Sequence, residues 1–481
     1  MNKSRFLPEI SLLLGIVSFL LPLSLLAQDF TPDIKNYIKY PATSKTAITD
    51  VTLIDGTGAQ PKEHQTILIE NGLISQIGPT NTVNPPQDAI LINGTGKTLI
   101  PGLVMLHEHL YYTLPIDTYF NVAEMPSSFP RLYLASGVTT MRTGGSIEPF
   151  TDLALHRMIG EGKLLGPDMD VTAPYIERKG YDIPALNIIS DTAQAAREVN
   201  FWADKGCTSF KMYMHITRGD LRNVVKEAHK RGLKVTGHLC SVTYREAAEI
   251  GIDDLEHGFM ASSDFDETKK VDSFDRPQAS RALQKLDVNS PKMKALIQFL
   301  IHKKVALTST LPVFEPVGGR EVIQGGGESA MLPQVLEMVK KRYNTAQAYD
   351  SNSLALFKKE LAWEKQFYDA GGLLVAGTDP TGAGRTIAGY SDYREIELLI
   401  EGGFSIPQAI QVCTLNGARY LGREKTIGTI APGKHADLVL IDGDLTRDIK
   451  NIRKTEIVFK NGTGFDSPKI FATVKEKIGI N

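Results

Sequence analysis

Cysteine is scarce in this chain of 481 residues, which contains only Cys207, Cys240 and Cys413. An odd and sparse set of this kind excludes a disulfide framework, even in an exported protein. On the strand pattern described below, Cys207 begins one strand and Cys240 follows the next. The two are then about a strand length apart, beyond the roughly 7 Å that a disulfide spans. We therefore predict free and mostly buried thiols.

An excess of positive charge is lacking as well. The formal net charge is −2 at pH 7, and 42% of the residues are hydrophobic. This balance is typical of a globular protein and excludes the basic surface with which proteins bind nucleic acid. We expect the partner to be a small molecule, and the association of copies into a homo-oligomer stays open.

The long apolar run without charge lies at the N-terminus, where Lys3 and Arg5 precede Ile10–Leu26. This layout predicts a secretory signal peptide over residues 1–27 and hence an exported protein, periplasmic or secreted. Because the run is long for such a signal, an uncleaved membrane anchor is the alternative. The roughly 450 residues that remain are enough for one large domain and one small one.

Short segments rich in Val, Ile and Thr occur near both ends of the mature chain, in residues 45–98 and 422–466. They are Ala47–Asp55, Thr66–Ile77, Ile90–Leu99, Ala436–Asp442 and Thr455–Lys460. Turn dipeptides such as Asn71-Gly72 punctuate them. The pattern favours a small composite β-sandwich built from both ends, although two unrelated hairpins would look the same. Residues 467–481 form a C-terminal tail.

Residues 99–421 change to short apolar strands followed by amphipathic helical stretches, which is typical of βα units. The predicted strands are Leu99–His107, Val138–Thr143, Met169–Ala173, Ser209–Tyr213, Lys234–His238, Asp254–His257, Val305–Thr310 and Leu373–Thr378. Helices are predicted over Asp191–Lys205, Arg218–Arg231 and Ser241–Ile250. Eight such units predict an α/β fold, a (β/α)₈ TIM-like barrel.

Ionisable residues recur at the carboxyl ends of these strands, where barrel enzymes place their chemistry. His107 and His109 are spaced i, i+2, so both leave a strand on the same face. The complete set is His107, His109, Lys211, His238, His257 and Asp379. Each one alone is more typical of packing, but unpaired buried charges are costly, so six at one mouth indicate a site.

Four imidazoles and a carboxylate are the nitrogen and oxygen ligands that Zn²⁺ prefers, although other divalent metals would also bind them. Their number exceeds the needs of one tetrahedral ion and indicates two metals with a bridging hydroxide. Lys211, once it has added CO₂, would be a carbamate anion able to bridge both ions. Asp379 would accept a proton from the bridging water and deliver it to a leaving nitrogen.

The motifs His107-Glu108-His109, Lys211, His238, Glu256-His257-Gly258 and Gly377-Thr378-Asp379, in this order, resemble the metal-dependent amidohydrolase superfamily, in particular its imidazolonepropionase/prolidase-like branch. The flanking segments Ile100-Pro101-Gly102-Leu103 and Gly428–Leu438 are similar to that family's composite β-sandwich. The resemblance implies one metal on His107 and His109 and the other on His238 and His257. It also implies carboxylated Lys211 as the bridge and Asp379 as ligand and proton shuttle.

Two departures from the family pattern concern the substrate. Prolidase-like members tend to carry a His-Ala-Tyr sequence after strand five, where this chain has Cys240, and a histidine after strand three, which is missing here. Dipeptide cleavage is therefore less well supported than hydrolysis of another C–N bond. Candidate substrate-binding residues beyond the metal ligands are Tyr112, Tyr175, Arg178, Tyr213 and Arg385. Either arginine would suit a substrate carboxylate.

The sequence thus predicts a metal-dependent hydrolase acting on an amide, cyclic amide or peptide-like bond of a small molecule. Alternatives within the superfamily are a mononuclear deaminase, which would not need Lys211, and a dipeptidase of Xaa-Pro or Xaa-Arg type. Hydrolysis of a C–O or P–O bond is also within reach of such a metal centre. A catalytically inactive binding module would have no reason to keep this cluster of ionisable groups.

Overall fold

The computed structural model describes residues 30–116, 121–180, 186–317, 320–345 and 351–479. The predicted signal segment, residues 1–27, therefore lies outside the described residues. Across the described ranges, we find no helix with both the length and the apolar character needed to cross a membrane.

The fold is mixed α/β. The strands are β1 (Ile38–Tyr40), β2 (Thr46–Leu53), β3 (Lys62–Glu70), β4 (Leu73–Pro79), β5 (Ile90–Asn93), β6 (Thr98–Pro101), β7 (Leu103–Glu108), β8 (Tyr111–Leu114), β9 (Asn121–Glu124), β10 (Val138–Thr143), β11 (Asp168–Asp170), β12 (Ile176–Glu177), β13 (Asn187–Ile188), β14 (Ser209–Met212), β15 (Lys234–Gly237), β16 (Asp254–Glu256), β17 (Ala306–Ser309), β18 (Leu374–Ala376), β19 (Leu438–Ile441), β20 (Thr455–Lys460) and β21 (Thr463–Asp466).

The helices vary from single turns to a helix of nineteen residues. They are α1 (Pro32–Lys35), α2 (Phe129–Ser136), α3 (Pro149–Gly160), α4 (Thr192–Lys205), α5 (Arg218–Lys230), α6 (Tyr244–Ile250), α7 (Arg276–Lys285), α8 (Pro291–His302), α9 (Leu311–Phe314), α10 (Pro333–Thr345), α11 (Ser351–Asp369), α12 (Tyr390–Glu401), α13 (Ile406–Gln411), α14 (Gly417–Tyr420) and α15 (Ser467–Thr473).

Strands from both ends of the chain lie in one mixed sheet. Its order is β1-β21-β20-β19-β6-β2-β3-β4, with β5 paired parallel to β2. The two ends meet where β6 pairs antiparallel with β19, with Leu99 opposite Leu440. Fully buried side chains such as Val51, Ile67 and Phe459 fill one core beside this sheet. Neither end therefore completes the sheet alone.

Two of the predicted strands in this region are each divided in two. The run Thr66–Ile77 is a hairpin of β3 and β4, because Asn71 and Gly72 take positive φ angles of 52° and 77° and reverse the chain. The run Ile90–Leu99 breaks after Asn93, and β6 then pairs with a different strand from β5. The dipeptides Asn71-Gly72 and Asn93-Gly94 mark the two breaks.

The predicted strands of the middle region are all present and parallel, in two sheets. One has the order β11-β10-β7, and the other has the order β13-β12-β14-β15-β16-β17-β18. Backbone hydrogen bonds also run between the sheets. Ala173 N donates to Ser209 O at 2.9 Å beside β14, and Asp379 N donates to His107 O at 3.0 Å beside β7. The eight predicted strands thus follow one another in chain order, and the two-residue strands β12 and β13 lie beside β14.

The first of these strands begins at Leu103 rather than at the predicted Leu99, because residues 98–101 belong to the antiparallel sheet as β6. The chain passes between the sheets at Gly102, whose N–H donates to Asp437 O at 2.8 Å. A Cβ at this position would lie 2.2 Å from Thr139 Oγ1, so only glycine fits. Because apolar residues continue on both sides of Gly102, the pattern of hydrophobic residues does not reveal the break between β6 and β7.

The predicted helices of the middle region are present as α4, α5 and α6. Asp191 accepts a hydrogen bond from Gln194 N and caps α4, so that helix begins one residue later than predicted. Thr243 and Glu246 form a reciprocal capping box that sets the start of α6 at Tyr244 rather than Ser241. The three cysteines are free and buried, which confirms the prediction made from their number and spacing.

Buried carboxyl groups accumulate between β17 and the helices α11 and α12. Ser309 Oγ lies 2.7 Å from Glu364 Oε2 and 2.6 Å from Glu395 Oε1, and all three side chains are buried. A hydroxyl has one proton to donate, so the second of these bonds requires a proton on a carboxyl group. Burial accordingly raises the pKa of Glu364 from 4.5 to about 7.

Glu364→Gln should make folding stability less dependent on pH. A folded-state pKa above the unfolded value contributes stability that is complete below pH 4.5 and lost as the pH rises through about 7. The native chain should therefore lose on the order of 2–3 kcal/mol over this window through this group. Chemical denaturation of the variant from about pH 5 to pH 8 should show a smaller loss. Glu249→Gln, on an exposed position of α6, is the control, and parallel curves for all three proteins would contradict the assignment.

Candidate metal centre

Three of the predicted ligands meet at the carboxyl ends of β7 and β18. One ligand atom each from His107, His109 and Asp379 lies within 4.8 Å of the other two. The shortest approach joins His109 Nε2 and Asp379 Oδ1 at 3.2 Å, and His107 Nε2 lies 4.0 Å from the same oxygen. The two histidines and the carboxylate therefore face one point, as the i, i+2 spacing predicts.

The other two predicted histidines adjoin this group. The rings of His238 and His257 are 4.3 Å apart between centroids, and those of His107 and His257 are 4.7 Å apart. His257 Nδ1 lies 3.9 Å from Asp379 Oδ2 and also 2.9 Å from Thr310 Oγ1. Four imidazoles and one carboxylate thus lie together at the carboxyl ends of the parallel strands. His238 adjoins the group through its contact with His257.

The backbone at two of these residues has an unusual conformation. His257 and Asp379 have φ angles of 69° and 47°, which residues other than glycine rarely adopt and which cluster at functional sites. The glycines beside them are required sterically. A Cβ on Gly258 would lie 1.9 Å from Glu360 Oε1, and one on Gly377 would lie 2.4 Å from His107 Cβ. These contacts explain the His-Gly and Gly-Thr-Asp motifs.

Burial favours the neutral, cation-binding form of three of the imidazoles, those of His107, His238 and His257. It lowers the pKa of His107 to about 4 and that of His238 to about 3, and Lys211 adds to both shifts. Burial likewise places the pKa of His257 well below its ordinary value. Burial alone would raise the pKa of Asp379, but the hydrogen bond to His109 and the nearby His107 hold it below the usual range. Asp379 is therefore a carboxylate, and the buried imidazoles of His107, His238 and His257 favour the neutral form.

Lys211, on β14, is placed among the histidines without a hydrogen-bond partner. Its side chain is 1% exposed, and Nζ is buried with no hydrogen bond. The nearest charged atom is Glu256 Oε1, 3.6 Å away. Burial lowers the pKa of Lys211, although Glu256 acts in the opposite direction. A buried amine with no hydrogen bond and one carboxylate 3.6 Å away is a costly feature that favours a ligand or a modification.

Glu256, on β16, is hydrogen-bonded to His107 of this cluster. Its Oε2 accepts from His107 Nδ1 at 2.5 Å, and its Oε1 accepts from Arg142 Nη2 at 2.8 Å and from the hydroxyl of Thr236. This bond leaves Nε2 of His107 to face Asp379. Glu256 is not among the ligands predicted from the sequence. The signal for it is an acidic residue inside a short parallel strand, next to the predicted ligand His257.

Tyr111, rather than the adjacent Tyr112 that the sequence predicts, packs against His109. The ring of Tyr111 lies 4.6 Å from that of His109, and its hydroxyl is 2.7 Å from Tyr175 Oη. Tyr112 is fully buried and donates its hydroxyl to Gly384 O. The i, i+2 period that relates His107 to His109 points on to Tyr111, so the sequence contained this information.

The remaining predicted substrate residues divide into two groups. Tyr175 Oη lies 3.4 Å from His109 Nε2, and the ring of Tyr213 lies 5.2 Å from that of His238, so both adjoin the cluster. Arg178 is bound to both carboxylate oxygens of Asp220, at 2.9 and 2.7 Å. Arg385 donates to Val313 O and stacks on Tyr343. Both arginines thus have partners within the protein.

Comparisons with known proteins agree with this architecture. The amidohydrolase family model matches residues 320–464, which include Asp379. A 5-methylthioadenosine/S-adenosylhomocysteine deaminase of Moorella thermoacetica is 33% identical over 115 residues, 23% of this chain and 26% of the deaminase. A 5'-deoxyadenosine deaminase of Methanothermobacter thermautotrophicus is 37% identical over 82 residues, 15% of this chain and 18% of the relative. The chain thus matches about a quarter or less of the length of these relatives.

The likeness to solved structures covers far more of the chain. A Xaa-Pro dipeptidase with bound methionine has a TM-score of 0.63 and 20% identity, covering 88% of this chain and 100% of that one. At this identity the likeness concerns the fold. The parallel strands, the histidine–carboxylate cluster and the match of residues 320–464 to the amidohydrolase family model agree with the resemblance predicted from the sequence motifs. The resemblance given by the sequence motifs is confirmed.

Glu256→Gln should weaken metal binding by about 10–100-fold, because it removes the charged acceptor that orients His107. Titration of zinc against a competing chelator measures the effect. Asp254→Asn is a matched control, since Asp254 also accepts from Arg142 Nη2, at 2.9 Å, but its bonds go to Arg142, Thr236 and Thr308 and not to His107. Equal losses of zinc affinity in the two variants would show that Glu256 acts through stability alone.

Proposed function

We propose that the protein hydrolyses a C–N bond, in an amide, a cyclic amide or a peptide-like group, of a small molecule. The observation that carries the proposal is Lys211, which is buried without a hydrogen bond and close enough to His107, His238 and His257 to shift their pKa values. A structural lysine would be hydrogen-bonded or exposed. A buried amine that makes no hydrogen bond, and whose ion-pair partner Glu256 lies 3.6 Å away, is suited to become a carbamate ligand of a binuclear centre.

We also propose that the eight parallel strands close into a (β/α)₈ barrel. The support is the backbone bonding on both sides of the gap between the sheets, from Ala173 to Ser209 and from Asp379 to His107. The barrel would span residues 99–421. Residues 45–98 and 422–466 would form the composite β-sandwich, and residues 467–481 the C-terminal tail.

The residues present fit two divalent ions, with zinc the first candidate. His107 and His109 would hold one ion, His238 and His257 the other, and Asp379 would be a further ligand. When bound, such ions lower the pKa of a water molecule and polarise a carbonyl group. The buried, neutral imidazoles are in the protonation state that binding requires.

Lys211 would complete this set after reaction with CO₂. The neutral amine nitrogen forms a bond to the carbon of CO₂, one C=O electron pair moves to oxygen, and the proton of the amine leaves to water. The product is a carbamate with one negative charge and two oxygens, able to bridge the two ions. Burial, which lowers the pKa of Lys211, favours the neutral amine from which the reaction starts.

Other residues of the chain would orient groups and move protons. Asp379, a carboxylate that faces His107 and His109, would take a proton from the attacking water and give it to the leaving nitrogen. Glu256 would hold the tautomer of His107. Tyr175, with Tyr213 beside it, would contact the substrate. Tyr112, Arg178 and Arg385 remain candidates for substrate binding, although their side chains already donate hydrogen bonds to Gly384, Asp220 and Val313.

Two alternatives have specific support. The curated relatives include deaminases, which favours a mononuclear deaminase as the second candidate. The fold is shared with a Xaa-Pro dipeptidase, which supports dipeptide cleavage of the Xaa-Pro or Xaa-Arg type. Against the deaminase stands the position of Lys211, which such a mechanism would leave unused. We place the enzyme outside the cytoplasm, periplasmic or secreted, on the basis of residues 1–27.

Metal content and intact mass test the binuclear proposal directly. The chain expressed without residues 1–27 should hold about two zinc-like ions. Its mass under gentle ionisation should exceed the sequence mass by one CO₂. Lys211→Ala should lose the adduct and much of the metal, and Lys234→Ala, at the start of the adjacent strand β15, should lose neither. One ion without the adduct would instead establish the deaminase alternative.

Asp379→Asn should leave folding largely intact and lower turnover by at least about 100-fold, because an amide cannot accept the proton of the attacking water. Thermal denaturation checks the first expectation, and turnover of N-acyl amino acids and cyclic amides checks the second. Near-native turnover in the zinc-loaded variant would remove Asp379 from the proton-transfer step.

A further inference from the structure

Glu108 lies in the chain between the two predicted ligands His107 and His109, but its side chain has a partner of its own. That partner is Thr378, which follows β18. Thr378 N donates to Glu108 Oε1 at 2.9 Å, and Thr378 Oγ1 donates to Glu108 Oε2 at 2.7 Å. Both side chains are fully buried. Two hydrogen bonds therefore join the His-Glu-His motif to the Gly-Thr-Asp motif.

The peptide that these bonds hold is the one immediately before Asp379. Asp379 has a φ angle of 47°, which is unfavourable for a residue other than glycine. His107 O accepts from Thr378 N at 3.2 Å and from Asp379 N at 3.0 Å. On the loop side, Thr381 Oγ1 donates to Asp379 Oδ1 at 3.0 Å. The bonds to Glu108 add two restraints that oppose relaxation of this backbone.

A similar arrangement is present at the other predicted ligand with a positive φ angle, His257. Phe259 N donates to Glu360 Oε1 at 2.7 Å, and the Glu360 side chain is buried. Gly258 lies between them in the chain, with no room for a Cβ beside the same oxygen. At both ligands, a buried carboxyl group thus accepts a nearby backbone N–H.

We propose that Glu108 is a positioning residue, which holds the Asp379 carboxylate in place for metal binding and proton transfer. Strand alternation directs Glu108 to the face opposite to His107 and His109, so it would act through Thr378. The proton-transfer part rests on the proposed hydrolytic function. The metal-binding part is measured without any substrate.

The test measures the affinity of the full chain for zinc by competition with a chelator. Glu108→Ala should lower the affinity by about 10–100-fold, because it releases the peptide before Asp379. Glu108→Gln should stay within about threefold of the native affinity, since its amide oxygen accepts from Thr378 N and its amide nitrogen donates to Thr378 Oγ1. Equal losses in the two variants would overturn the proposal.

A double-mutant cycle separates the positioning of Asp379 from a general loss of stability. Once Asp379→Ala has removed the carboxylate, adding Glu108→Ala should change zinc affinity by about twofold or less. No side chain is then left at this position for Glu108 to orient. A loss as large as that in the native background would contradict the proposal.

Asp437→Ala is the matched control for Glu108→Ala. Asp437 is also a buried carboxyl group that accepts a backbone N–H, from Asn461 at 2.7 Å, but it lies beside β19 in the sheet formed by both chain ends. This variant should keep the native zinc affinity. An equal loss in Asp437→Ala and Glu108→Ala would assign the effect to stability and reject the positioning role.

Two variants of Thr378 decide the question if Glu108→Ala does not fold. Thr378→Val keeps the shape of the side chain but removes the hydroxyl that donates to Glu108. It should lower zinc affinity by about three- to tenfold, whereas Thr378→Ser keeps the hydroxyl and should not. Equal affinities of the valine and serine variants would overturn the proposal.

Failure of the positioning role and failure of the proposed hydrolysis would look different. A loss of zinc affinity in Glu108→Ala that Glu108→Gln restores, in a chain that hydrolyses neither N-acyl amino acids nor cyclic amides, would support the positioning role and reject the proposed hydrolysis. Hydrolysis by the native chain, with unchanged zinc affinity in Glu108→Ala, would support the proposed function and reject the positioning role.

Discussion

The carboxylate of Glu256 is the interaction on which the rest of the centre depends. It is fully buried, yet it accepts hydrogen bonds from His107, Arg142 and Thr236 at once. Removing one partner from such a buried network leaves the others uncompensated, which costs far more than a surface ion pair. The position of His107 is therefore fixed by the interior of the strands and not by the loops at the mouth.

The same carboxylate has a second neighbour in Lys211, 3.6 Å away. Arg142 Nη2 lies 2.8 Å from the same oxygen, Oε1 of Glu256, and all three side chains are buried. The buried charged groups here are the guanidinium of Arg142 and the carboxylates of Asp254 and Glu256. Burial disfavours a proton on the neighbouring amine of Lys211. An arrangement of this kind gives the amine a chemical state different from that of a lysine in water.

Much of the architecture could be predicted from the sequence because it follows from local rules. Strand periodicity placed His107 and His109 on one face, and turn residues marked the breaks between strands. The division at Gly102 could not be seen, because the apolar run continues while the hydrogen-bond partners change from one sheet to the other. A close contact with Thr139, remote in the chain, decides that break.

The substrate side was predicted less well for the same reason. An arginine near a site suggests a carboxylate ligand, but the partner of Arg178 turned out to be Asp220, which also belongs to the capping box of α5. Which acid a given arginine meets is a property of the folded chain and not of its local pattern. Tyr111 is the opposite case, since a longer reading of the same period would have found it.

The pairing of β6 with β19 has a consequence for how the chain reaches its native state. The two strands are separated by nearly the whole parallel region, so the sheet gains its central pair only after almost all of the chain has been made. Until then β6 presents an open edge to its surroundings. A protein with such distant contacts folds slowly and late. A chain delivered through a translocation channel would need to be held unfolded until its last strands emerge.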